Sequence, residues 1–192
     1  MKNTCLLSED SKSYLCCFYQ ILDEMIHTMT TAGLTQSISH NFIVQMAPHH
    51  QAAIQMSNNI LRFTENGAVR RLAQHMIDQQ TQGISQMEDV LSTCGQLTNP
   101  QIDLRLYQRR MDLIYREMYT QMGSAPENNA LAVIFAREMI PHHQGAIRMA
   151  ENALKYDIST ELVPILRSII TRQRRDIAQM RALLNRMGCQ RG

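Results

Sequence analysis

Tryptophan is missing from this 192-residue chain, and only 8 glycines and 5 prolines punctuate it. Alternation of apolar and polar residues, the mark of half-buried strands, is nearly absent, which excludes a sheet-based fold. No stretch is long and apolar enough for a membrane-spanning helix, so no membrane partner is expected. The basic run formed by the arginines at 167, 172, 174, 175, 181 and 186 lacks interleaved aromatics and any nucleic-acid motif, so no nucleic-acid partner is expected either. The 5 cysteines are odd in number and irregularly spaced, which argues against a disulfide framework and for five free thiols. Cys94 and Cys189, near equivalent helix ends, are the pair that a bridge would use. Adjacent Cys16 and Cys17 can bind a soft metal, although idle thiols account for them as well. A leader pattern is also wanting, because "SEDSKS" interrupts the apolar runs of "MKNTCLLSEDSKSYLCCFYQ". The chain as given is expected in the cytoplasm, and exported if the true start lies upstream.

Methionine, by contrast, is abundant at 14 residues, and a repeat runs through the chain. "MAPHHQAAIQM" (46–56) returns 93 residues later as "MIPHHQGAIRM" (139–149), with eight of eleven positions identical. The same register maps Glu24, Met25 and Met29 onto Glu117, Met118 and Met122, and Asn59 onto Asn152, without a gap. It carries "QQTQGISQMEDVL" (79–91) onto "RQRRDIAQMRALL" (172–184). The chain therefore reads as two copies of one unit, residues 1–96 and 97–192, joined through "GQLTNPQ". The net charge of +2 divides unevenly: 5 Lys/Arg against 8 Asp/Glu in the first half, 14 against 9 in the second. Solvated helix faces account for this, as would opposite charges across an interface; a homo-oligomer stays open.

Apolar residues recur at three- and four-residue spacing, which predicts an all-α fold with three helices per copy. The expected spans are 11–31, 37–63 and 67–93, then 101–122, 127–156 and 159–187. Ser37 or Ser39 can cap the second helix and Ser159 or Thr160 the sixth, while Gly95 and Gly188 suit helix C-termini in the left-handed conformation. Pro48 and Pro141 fall inside otherwise helical runs, which predicts a kink just before each histidine pair.

With Met46 as origin and roughly 100° per residue, His49, His50, Ala53 and Met56 share an arc of roughly 120°. Met139, His142, His143 and Met149 do the same in the second copy. The third helix adds Met76 and Met87, with Met180 as the surviving counterpart; the first helices add Met25 and Met29, and Met118 and Met122. His27 joins in the first copy only. Imidazole beside thioether, without a nucleophile, base or carboxylate, is ligand chemistry: thioethers suit Cu(I) and Ag(I), imidazole suits copper and zinc. The three readings are a soft-metal site, a metal-free structural or interaction module with a buried histidine network, and a di-metal redox enzyme recruiting Glu24, Glu117 and Glu138. The last lacks the Glu-x-x-His pairs that di-iron bundles use, since only Glu24–His27 has that spacing. Methionine stripes are commonly core filling. Adjacent buried histidines are costly without partners, which favours ligation at His49, His50, His142 and His143.

"FAREMIPHHQGAIRMAENAL" (135–154) resembles the signature segment of domain-of-unknown-function family 305, and "LVPILRSIITRQRRDIAQMRALL" (162–184) is similar to the helix that follows it. The first copy matches more loosely through "NFIVQMAPHHQAAIQM" and "VRRLAQHMIDQQTQGISQM". Members are ferritin-like helical bundles, and some are exported copper-binding proteins implicated in copper resistance. The resemblance implies two tandem ferritin-like units packed as a pseudo-twofold bundle. It also implies copper(I) as the cargo of Met46, His49, His50 and Met56 and their four counterparts, and no turnover. The chain departs from the usual pattern in lacking an export signal and a long Met/His-rich N-terminal tail.

Overall fold

The computed structural model describes residues 7–125 and 128–189, and these form six α-helices with no strand among them. They are α1 (Glu9–Thr30), α2 (Ile38–Leu61), α3 (Gly67–Cys94), α4 (Gln101–Gly123), α5 (Leu131–Ala153) and α6 (Leu162–Cys189). No described helix is long and apolar enough to cross a membrane.

Side-chain caps start the helices of the first half. Ser8 accepts from the Ser11 amide, with Glu9 and Asp10 placed against the N-terminal end of the dipole. Ser37 accepts from the His40 amide, and Asn66 from those of Ala68 and Val69. Helices α4 and α5 have no side-chain cap. Gly95 does close α3, but in the right-handed conformation with φ −71°, and no described glycine has positive φ; the expected left-handed turn is absent there. Pro48 and Pro141 lie within unbroken helices and open none. Each removes the donor that would reach the carbonyl four residues back, at Val44 and Arg137.

Helices α2 and α5 are the central pair. Each packs against the other and against two further helices, α1 and α3 for α2, α4 and α6 for α5; α3 also meets α6. Fifteen of the 24 residues of α2 and fifteen of the 23 of α5 are buried, so both are covered nearly all round. Contacts recur at the 93-residue spacing: Asn59 Nδ2 donates to the Tyr14 carbonyl at 2.9 Å and Asn152 Nδ2 to the Tyr107 carbonyl at 3.1 Å. The segment between α3 and α4 is tied down by Asn99, which accepts from the Ile38 amide at 2.8 Å and donates to the Asp157 carbonyl at 2.6 Å. Cys16, Cys17 and Cys94 are free thiols; Cys5 and the side chain of Cys189 lie outside the described residues.

Candidate metal centre

Where α2 crosses α5, the two histidine pairs meet. The rings of His49 and His142 stack with centroids 3.7 Å apart and planes 30° apart, and each lies beside its own neighbour, His50 or His143, at 6.2 and 5.8 Å. All four are shut from solvent, the least buried being His50 at 2% exposure. The sequence places these rings on one face of each helix; the packing of two such faces makes one continuous cluster.

The ring nitrogens divide into two sets. On the Nε2 side each ring has a neighbour: His142 Nε2 donates to the His49 carbonyl at 3.2 Å, and His49 Nε2 lies 3.3 Å from Met118 Sδ. His143 Nε2 stands 3.4 Å from Asp176 Oδ2, and the Nε2 edge of His50 faces Gly83, where an added Cβ would come within 2.9 Å. On the other side, Nδ1 of all four histidines is buried without a hydrogen-bond partner. His143 Nε2 is unpartnered too, and buried polar atoms are nearly always paired, so five bare imidazole nitrogens in one cluster call for an explanation. Burial, with smaller repulsion from the neighbouring rings, holds His49 and His142 well below the usual histidine pKa and His50 at about 3. Those three rings are therefore neutral at pH 7, the form in which imidazole coordinates a metal.

Methionines fill the core of the same bundle. Met46, Met56, Met139, Met149, Met25, Met29, Met76, Met87, Met118, Met122 and Met180 are all buried, at 2% exposure or less. Met118 is the one whose sulfur touches an imidazole, and Gly145 makes room for it, since a Cβ there would stand 2.1 Å from Sδ. Two sulfurs are engaged locally: Met29 accepts from the Tyr119 hydroxyl at 3.4 Å and Met76 from Ser57 at 4.0 Å. His27 is a correction. It is exposed on α1 while Met25 and Met29 are buried, because two residues along a helix turn a side chain about 200° to the opposite face.

Glu24, Glu117 and Glu138 do not assemble here. Glu24 and Glu117 are exposed, and Glu117 pairs with Arg148 at 2.5 Å. Glu138 is buried, but it accepts from the Tyr14 hydroxyl at 2.5 Å, and burial pushes its pKa up to about 8 against the pull of that bond. Among the described residues no three His, Cys, Asp or Glu side chains group as a metal site. Imidazole and thioether are the uncharged donor types at this crossing, and they suit soft and borderline ions.

Asp176, Gly83 and Tyr14 belong to the surroundings of the site and were not anticipated. Asp176 sits amid "RQRRDIAQ", which reads as a solvated face, yet it is 1% exposed. The signal was available: the 93-residue register lays Asp176 on Gly83, a buried-face position. His75, half-exposed on α3, reaches the second oxygen of Asp176 at 3.8 Å. Next to it, a cleft of about 20 Å³ between α3 and α6 is floored by His50 and Gly83 and walled by Gln79, Gln80, Gln86 and Gln173.

The sequence profile of the family described as Domain of unknown function (DUF305) matches residues 39–184. No curated protein matches the chain. Among solved structures, CopM in the Ag-bound form, prepared by soaking, is 27% identical over 79% of this chain and 98% of its own, with a TM-score of 0.58. CopM in the Cu(II)-bound form is 26% identical over 78% and 97%, with a TM-score of 0.57. A DUF305 fragment from Deinococcus radiodurans is 28% identical over 78% and 96%, also at 0.57.

Proposed function

This chain belongs to the DUF305 family, and from that premise we propose that it binds a soft metal ion, Cu(I) foremost, as cargo at the α2–α5 crossing. The observation that carries this reading is the set of four buried Nδ1 atoms without partners, with burial keeping His49, His50 and His142 neutral and the Met118 sulfur against His49. A metal-free histidine network would pair those atoms, since an unsatisfied buried nitrogen costs about 1–3 kcal/mol. Silver and Cu(II), the ions bound by CopM, are the ones imidazole and thioether donors favour. The ligands are drawn from His49, His50, His142 and His143, with Met118, Met46, Met56, Met139 and Met149 supplying sulfur. The halves 1–96 and 97–192 act as fused copies of one ferritin-like unit, a reading supported by the recurring Asn59 and Asn152 bonds.

Sequestration or handover is the task that fits, because the centre holds neither a nucleophile nor a solvent-facing base. The di-metal enzyme reading is disfavoured by the outward-facing Glu24 and Glu117. Anaerobic titration of the reduced apo chain with Cu(I), in competition with a Cu(I) chelator of moderate affinity, tests the proposal. Retention of copper against the chelator supports it, and complete transfer of copper to the chelator rejects it.

A further inference from the structure

The two ends of the histidine cluster are built differently. At one end His50 lies against Gly83, which has no side chain to offer, and the cleft beside them is lined by glutamines, Ser168 and Arg172, with no carboxylate. At the other end the equivalent position is Asp176, a carboxyl group 1% exposed, with Oδ2 3.4 Å from His143 Nε2. Its Oδ1 is buried without a hydrogen-bond partner and faces His75 of α3 at 3.8 Å. No lysine or arginine pairs with it among the described residues. A buried carboxyl group without a cationic side chain is expensive for a bundle to keep. The fold alone gives no reason for it, since Gly83 serves at the equivalent place.

We propose that Asp176 is a positioning residue that orients His143 through Nε2 and makes the His142–His143 end of the cluster selective for a divalent transition-metal ion. Two physical arguments converge. Ligating histidines characteristically present their second ring nitrogen to a carboxylate, which fixes the tautomer and raises donor basicity. His143 Nε2 lies 3.4 Å from Asp176 Oδ2 without a hydrogen bond, so closing that short gap on metal binding would leave Nδ1, also unpartnered, as the coordinating atom. The charge argument is independent of orientation. Placing a doubly charged ion in a low-dielectric core is far costlier than placing a single charge, and a carboxylate one imidazole away offsets one of the two charges. The His50 end has no such group and suits a singly charged ion beside thioethers. The inference rests on the proposal that the histidine cluster holds metal, and it adds a division of labour by ionic charge.

The test uses the full apo chain, with Cu(II) followed by paramagnetic resonance and calorimetry, and Ag(I) as the univalent probe. In the isosteric variant Asp176→Asn, Cu(II) affinity should fall about 10- to 100-fold, the range seen for lost outer partners of ligating histidines. The Cu(II) spectrum should shift with it, while Ag(I) affinity and the circular-dichroism melt stay unchanged. Equal Cu(II) affinity and an identical spectrum in both proteins overturn the inference. So does an equal loss of Ag(I) and Cu(II), which would make Asp176 a residue of the fold. If Asp176→Asn does not fold, Asp176→Ala decides: loss of Cu(II) with Ag(I) kept supports the inference, and parallel loss refutes it. Cu(II) binding that depends on Asp176 in a chain that ignores Ag(I) would sink the soft-ion reading and leave this one standing. A chain that takes up neither ion rejects both.

Discussion

Gly83→Ala sets two measurable effects against each other at the edge of the cluster. Gly83 is buried within α3, and its added methyl would stand 2.8 Å from Cδ2 and 2.9 Å from Nε2 of His50. Both separations lie well inside van der Waals contact, so the ring or the helix must shift. Overpacking of this kind costs about 1–3 kcal/mol. Replacing glycine by alanine in a helix interior returns about 0.8–1.0 kcal/mol through propensity. An imidazole is rigid and cannot fold aside as a methionine does, and His50 is held on the most buried helix pair, so the upper part of the overpacking range applies. The net expectation is a loss of about 1–2 kcal/mol. Gly123→Ala is the matched control, because a methyl there meets nothing within 4 Å and should be neutral or mildly stabilising. Urea unfolding of the apo variants reads both. With a slope of about 2 kcal/mol per molar urea, the Gly83 variant should unfold roughly 0.5–1 M earlier than the parent. A midpoint that rises as it does for Gly123→Ala would mean that His50 has room to spare, and the packing argument would fail.

Other outcomes follow from the same geometry. His49→Ala combined with His50→Ala should remove Cu(I) binding from the first copy's end and leave the second able to bind, because the His142 bond goes to the His49 carbonyl, which alanine retains; chelator competition measures it. Met46→Leu or Met56→Leu should weaken Cu(I) affinity while lowering stability by less than about 1.5 kcal/mol in urea melts, since leucine conserves volume. His49, His50 and His142 have folded-state pKa values below the unfolded 6.5, so the apo protein should lose stability as pH falls from 6.5 toward 3, and urea midpoints across that range should show it. Glu138 acts in the opposite sense: its pKa is raised from 4.5 to about 8, so its contribution is full below 4.5 and fades as pH rises through 8. Glu138→Gln should remove that alkaline loss, and identical midpoints for variant and parent at pH 9 would contradict it.

Periodicity and caps made the helices legible, but side chains near their ends moved several boundaries. Helix α5 begins at Leu131 where the pattern suggested 127, because Asn128 turns its side chain onto the Ala130 amide at 2.7 Å, an Asx turn that competes with the helix. Before α6, Ser159 and Thr160 bond the Glu161 carboxylate, and the helix starts at Leu162. The histidine pairs were legible because the repeat preserves them and the helical angle places them together. The repeat register singled out Met118 with Met122, but its contact with His49 was not legible, since it joins residues 69 apart through the packing of α4 on the central pair. The reverse held for His27, whose spacing to Glu24 looked meaningful while its facing was outward.

The position of the cluster ties metal capture to the union of the two halves. Helices α2 and α5 belong to different halves, and the stacked His49 and His142 lie on the contact between them. In the apo state this contact carries five unpaired nitrogens, each worth about 1–3 kcal/mol of penalty, at the centre of the molecule. An ion that satisfies them binds the folded bundle and not the separated helices, so it stabilises by mass action, about 4 kcal/mol at a thousandfold excess over Kd. If the cluster holds metal as proposed, its ligands are buried, and the narrow α3–α6 cleft beside His50 is one approach to them. Such a centre would favour retention over rapid exchange, and substitutions that loosen the seam between α3 and α6 are expected to speed transfer of copper to a chelator.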